Sequence, residues 1–174
     1  KATDETIEAY SNTNTKDSQL IVTSQHPQNN KHGRYVLSEN KNIELICGTI
    51  TDRAFIELYQ NCDVVLLPSK WEGLGIPFME ALACGKPVIT IDMPPMNELI
   101  QNGVTGLTCK VDKIEYYKEI FVPAGMVDIR DMTKKINILK NKELLETLSK
   151  NARIYALKNF DWNKNQQEYL EVFK

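Results

Sequence analysis

Long hydrophobic runs are missing from this 174-residue chain: apolar stretches such as VVLL (64–67) and PVITI (87–91) fall far short of the roughly 20 residues a helix needs to cross a bilayer. No transmembrane segment is predicted. An excess of one charge is missing too, since 21 basic and 23 acidic residues leave a net charge of −2 and are mixed along the chain. Nucleic acid would require a basic stripe, so it is excluded as a partner. Cysteine is sparse. Cys47, Cys62, Cys84 and Cys109 form no CxxC pair, and neither His26 nor His32 stands at zinc-ligand spacing. The four thiols read as reduced core residues, in keeping with a cytoplasmic setting and no bound metal. Neither GxGxxG nor GxxxxGK[ST] occurs, which leaves a dinucleotide fingerprint and a P-loop unsupported. Internal repeats and low-complexity tracts are absent as well, and KATDETIEAY at the start lacks the charged-then-apolar pattern of a signal peptide.

What is present suits a single globular domain over 1–174. Hydrophobic residues make up 42% and charged residues 25%, and a chain of this length buries about two thirds of its unfolded surface. Short apolar runs alternate with helical patterns. A helix is predicted over Thr3–Tyr10, then a buried strand over 19–24 and a polar surface connection over 25–42. IELIC (43–47) is the next strand, and Thr51-Asp52 caps a helix reaching about Gln60. DVVLLPS (63–69) follows as a third strand. Pro77 opens a helix through Ala83 that Gly85 closes, and PVITI is a strand buried on both faces. NELIQNG is a short helix closed by Gly103, GLTCKV (106–111) is the last strand, and IEYYKEIFVPAGM breaks the rhythm as an excursion. MTKKINILK, KELLETLSKNARIYALKNF and NKNQQEYLEVF then read as three helices. The alternation predicts an α/β fold with a doubly wound, Rossmann-like parallel sheet whose ligands bind outside the carboxyl ends of the strands.

Among the loops at those ends, PSKWEGLGIPFME (68–80) stands apart. Gly73 and Gly75 permit close backbone approach, and Pro77 is tolerated at a helix start, where the N–H has no partner inside the helix. A helix N-terminus offers free N–H groups and about half a positive charge, a seat for phosphate or a sugar oxygen. Glu72 precedes the turn, and Glu80 is expected in the first helical turn. Carboxylates accept from sugar and ribose hydroxyls while the amides donate to phosphate oxygens. On spacing alone, a plainer reading stays open: Glu72 is a solvated loop residue and Glu80 complements the helix dipole.

DVVLLPSKWEGLGIPFMEALACGKPVI resembles the donor-binding signature of retaining glycosyltransferases of family 4, which have the GT-B fold. The PS after the strand, the Glu72 and Glu80 pair, the EALACGKPVI run and NGVTGL (102–107) carry the resemblance, which extends from Lys1 to the closing NFDWNKNQQEYLEVF. It implies that Glu72 contacts the transferred sugar as the catalytic carboxylate, that Glu80 binds the ribose, and that Gly73, Leu74, Gly75 and Ile76 supply backbone contacts to sugar and pyrophosphate. It places Gly48, Thr49 and Ile50 beside the nucleobase, and KATDETIEAY makes Lys1 the match for a lysine that neutralises the diphosphate. His26 and His32 read as solvated loop residues.

The resemblance further implies that this is the C-terminal, donor-binding half of the fold, with its first strand and a whole N-terminal acceptor domain outside these residues. The partners implied are a UDP- or GDP-linked sugar donor and an acceptor sugar, lipid or protein held by that other domain, through which peripheral membrane contact is also expected. The reaction implied is hexosyl transfer with retention, the diphosphate being stabilised without metal; the isolated domain is expected to be inactive. One departure stands out. DMPPMNELI puts Pro94 and Pro95 where the family commonly has two glycines, removing amide donors, and Asp92 reads as a strand-end cap. A nucleotide-sugar binding module without catalysis and a sugar-nucleotide epimerase on the same fold are the alternatives.

Overall fold

β-Branched and apolar runs build two parallel sheets. The structure, a computed structural model, describes residues 2–14, 16–24, 41–116 and 122–172. Strand β1 (Leu20–Ser24) pairs with β2 (Ile43–Cys47), Leu20 standing opposite Ile43. Strands β3 (Val65–Leu66), β4 (Val88–Ile91) and β5 (Gly106–Cys109) form the second sheet in that spatial order. Among the described residues no backbone pairing joins the sheets, yet Leu66 of β3 packs against the cluster containing Leu20 and Val22 of β1. Side-chain burial therefore holds the sheets side by side.

Helices connect the strands in the expected alternation: α1 (Thr3–Ser11) before β1, α2 (Asp52–Asn61) between β2 and β3, α3 (Ile76–Ala83) between β3 and β4, and the four-residue α4 (Met96–Leu99) between β4 and β5. Local chemistry sets several starts. Thr51 caps α2 by accepting from the Ala54 N–H, Asp128 caps α5 (Ile129–Ile138) through the Asp131 N–H, and Asn141 caps α6 (Lys142–Asn159) through the Leu144 N–H. A last helix, α7, runs over Trp162–Val172. Among the described residues no helix is long and apolar enough to cross a membrane.

The core lies between β4 and the helices around it. Phe78, Ala81 and Leu82 of α3, Val88, Ile89 and Ile91 of β4, Met132 of α5, and Leu148 and Ala152 of α6 are all fully buried and belong to one cluster. Each large member stabilises the fold by about 1.5–3 kcal/mol relative to exposure. α3 is thus clamped between β4 and α6, which fixes the helix whose N-terminus carries the candidate loop.

Several sequence expectations are corrected. β1 is buried on one face only: Ile21 is 41% exposed, and its register partner is the exposed Glu44. The third strand shrinks to two residues, because the Leu67 carbonyl accepts from the Ser69 N–H and the Thr90 hydroxyl, and Pro68 brings no N–H to the ladder. GLTCKV is not the last strand. Its end passes into β6 (Val111–Tyr116), which pairs antiparallel with β7 (Pro123–Val127), so the described part of the excursion is a ribbon. The NELIQNG helix ends at Leu99, Ile100 being its extended cap, and Gly103 falls in the following turn. The cysteines are free, but only Cys109 is buried; Cys47 is exposed. Its position in the apolar core, with Asp131 adding to the effect, pushes the Cys109 thiol up to about 12.

Candidate functional site

The loop from Leu67 to Gly75 leaves β3 at its carboxyl end and delivers the chain to α3. Gly75 is the pivot. Its left-handed conformation (φ 75°, ψ 36°) lets it serve as the N-cap of α3, and its carbonyl accepts from the N–H groups of Phe78 (3.0 Å) and Met79 (3.4 Å). A side chain there would also meet Leu99 Cδ1 at 2.5 Å. α3 consequently begins at Ile76, one residue earlier than Pro77 alone suggests, and Pro77 takes the second helical position. Glu80, expected in the first turn, is the fifth helical residue and lies just beyond it.

Around the pivot, the N–H groups of Gly73, Leu74, Gly75 and Ile76 find no acceptor among the described residues. Leu74 is 69% and Ile76 54% exposed. Gly73 is exposed as well, whereas Gly75 is buried. Amides at a helix N-terminus that find no acceptor among the described residues can donate to a ligand oxygen. The two carboxylates bracket this row of amides in sequence, and each is engaged by a hydroxyl. Ser69, 2% exposed, donates from Oγ to Glu72 Oε1 at 2.6 Å. Tyr59 of α2 donates to Glu80 Oε2 at 3.4 Å and shares the same proton with the Pro77 carbonyl at 3.3 Å. Burial first, then the Glu80 charge, drives the Tyr59 hydroxyl well above its ordinary pKa, so it remains a donor at neutral pH.

Two further contacts steady the loop. Gly125 of β7 donates its N–H to the Lys70 carbonyl at 2.8 Å, and Lys70 Nζ pairs with Glu5 of α1 at 2.8 Å, with both side chains about one-fifth exposed. Sequence reading missed Tyr59, Ser69, Lys70, Glu5 and Gly125 as members of this site. Ser69 carried a local signal, as the S of the PS pair, and Lys70 lies in the loop itself; Glu5, Tyr59 and Gly125 reach the loop and Glu80 from α1, α2 and the ribbon. Trp71, between the two anchored residues and Glu72, is 48% exposed.

Gly48, Thr49 and Ile50 lie at the carboxyl end of β2, on the other sheet. Gly48 turns the chain with φ 104°, Thr49 is exposed, and Ile50 lines an apolar groove of about 350 Å³ together with Ile21, Ile46, Ala54 and Leu58. α2 starts beside these residues and carries Tyr59 to Glu80, so one helix spans the distance between the two groups. Lys1, His26 and His32 lie outside the described residues. At the Pro94-Pro95 turn, Asn97 and Glu98 spend their N–H groups on the Met93 and Pro95 carbonyls, and Asp92 accepts from the Asn97 side chain at 3.0 Å. That contact joins two side chains within the turn, and α4 starts without a side-chain cap.

A family model, glycosyl transferases group 1, matches residues 1–155. The chain belongs to the glycosyl transferases group 1 family. Among curated relatives, the N,N'-diacetylbacillosaminyl-diphospho-undecaprenol alpha-1,3-N-acetylgalactosaminyltransferase of Campylobacter jejuni is 34% identical over 119 residues, 68% of this chain and 27% of its own length. The chain spans about a quarter of the length of the curated relatives it matches. Among solved structures, the C-terminal domain of the group 1 protein LpcC from Francisella tularensis superposes with a TM-score of 0.73 at 22% identity, covering 92% of this chain and 80% of that one. HepE of Anabaena, solved in complex with UDP-glucose, gives a TM-score of 0.60 at 22% identity over 77% of this chain and 32% of its own. The fold is accordingly the Rossmann-like α/β domain of GT-B glycosyltransferases.

Proposed function

We propose that this group 1 domain binds the nucleotide-sugar donor of a retaining, family 4 hexosyltransferase. The supporting observation is the row of amides from Gly73 to Ile76, without acceptors among the described residues, set between two carboxylates that hydroxyls hold. In this reading Glu72 meets the transferred sugar, the amides of Gly73, Leu74, Gly75 and Ile76 take sugar and diphosphate oxygens, and Glu80 accepts from the ribose. Gly48, Thr49 and Ile50 border the base, and Lys1 neutralises the diphosphate. The donor is UDP- or GDP-linked; UDP-glucose in HepE favours uridine as the first nucleotide to try.

Chemistry follows from where charge grows. Cleavage of the anomeric C–O bond puts negative charge on the leaving diphosphate, and helix-end amides with a lysine stabilise that charge without reorganising. The acceptor attacks from the leaving-group side, so configuration is kept. The acceptor and the remaining catalytic groups belong to a separate N-terminal domain, and this domain alone turns nothing over.

Calorimetric titration with UDP, GDP and their sugar conjugates tests the reading. We expect a nucleotide-sugar to bind and Glu72→Ala and Glu80→Ala to weaken it at least tenfold, each variant still unfolding in one cooperative transition. Unchanged affinity in both variants would overturn the site. Binding without sugar transfer by the intact two-domain protein would leave a binding module, and donor turnover without acceptor would mark an epimerase.

A further inference from the structure

We propose that Tyr59 is a positioning residue that sets Glu80 for the ribose hydroxyls; this rests on the reading of Glu80 as the ribose carboxylate. α2 buries one residue on its core side, Tyr59, 8% exposed, whose ring meets Phe55 edge-on at 5.0 Å and 85°. The ring thus has a fixed orientation. Its hydroxyl crosses to α3 and bridges two acceptors three residues apart on one flank of that helix, the Pro77 carbonyl and Glu80 Oε2.

The consequence for Glu80 is an asymmetric carboxylate. Oε2 is tied to the scaffold, whereas Oε1 accepts from no donor among the described residues and stays available to a ligand hydroxyl. A glutamate otherwise has three rotatable side-chain bonds to immobilise when a ligand binds, at an entropic cost that a prior tether reduces. The donor itself is neutral and held protonated by burial beside Glu80, so it orients the carboxylate without cancelling its charge. Pro77 strengthens the device. Its carbonyl and Glu80 move together as parts of α3, and Phe78, the neighbour between them and the core, is fully buried. The hydroxyl therefore references Glu80 to the backbone of the helix that also presents the row of amides.

Tyr59→Phe removes the hydroxyl and keeps the ring. Affinities for UDP and GDP, each against its 2′,3′-dideoxy counterpart, are measured by calorimetry on wild type, Tyr59→Phe and Glu80→Ala, with melting temperature followed in parallel. Tyr59→Phe is expected to lose about two- to tenfold for the ribose nucleotide and nothing for the dideoxy one. Equal loss on both ligands means a structural role and overturns the proposal, as does no loss on either. Glu80→Ala separates the two levels. If it leaves the ribose-to-dideoxy ratio unchanged, the ribose reading fails; if it collapses the ratio while Tyr59→Phe does not alter it, only the positioning role fails. Absence of binding by both nucleotides overturns both. Where Tyr59→Phe melts early, a ribose-to-dideoxy ratio kept at the wild-type value in the fraction folded at low temperature also overturns it.

Discussion

Gly75→Ala is the sharpest test of how the row of amides is built. The position needs glycine twice over. Its backbone lies in the left-handed region (φ 75°, ψ 36°), and a Cβ would stand 2.5 Å from Leu99 Cδ1 and 3.4 Å from Phe78 Cδ2. An L-residue in that conformation costs about 1–2 kcal/mol, and forcing a methyl into a packed contact costs about 1–3 kcal/mol. Leu99 can yield part of that, since it is only partly buried, but Phe78 is fully enclosed. Together the two effects come to about 2–5 kcal/mol, a fall of about 4–20 °C in Tm for a domain of this size. Gly73→Ala is the matched control, because no atom lies within 4 Å of its would-be Cβ and its φ is not in the left-handed range; it should stay within about 0.5 kcal/mol of wild type. Urea denaturation and calorimetry on both variants decide the matter. A Gly75→Ala protein as stable as Gly73→Ala would refute the assignment of Gly75 as the strained pivot between loop and helix, and with it the placement of the amides at the start of α3.

Two other outcomes follow from single contacts. Ser69→Ala deletes a buried hydroxyl that donates to the half-buried Glu72 at 2.6 Å and should lower stability by about 1–3 kcal/mol, with donor affinity falling in step; calorimetry on the variant reads both. Thiol labelling at pH 8 under native conditions should modify Cys47, which is exposed, and spare Cys109, fully buried and kept protonated by its environment, until denaturant is added; prompt labelling of Cys109, read by peptide mass, would contradict its place in the core.

The sequence by itself determined the parts of this protein whose physics is local. Alternating apolar runs and helical spacing announced the α/β order, Thr51 capped α2 as its side-chain oxygen requires, and the glycines, proline and glutamates of PSKWEGLGIPFME marked the loop. Where local rules compete, the reading slipped by a residue or a strand: Gly75 outranked Pro77 as the start of α3, and Leu67 gave its carbonyl to a turn and a threonine, cutting β3 short. Only tertiary structure decided what holds the site. Tyr59 reaches Glu80 across 21 residues, Glu5 of α1 reaches Lys70, and Gly125 of a ribbon that broke the helix-strand rhythm ties down the same loop. Hydrogen bonds and ion pairs of this kind depend on distances between elements, which packing of Phe78, Leu82 and their neighbours sets, and no pattern within a window of sequence encodes them.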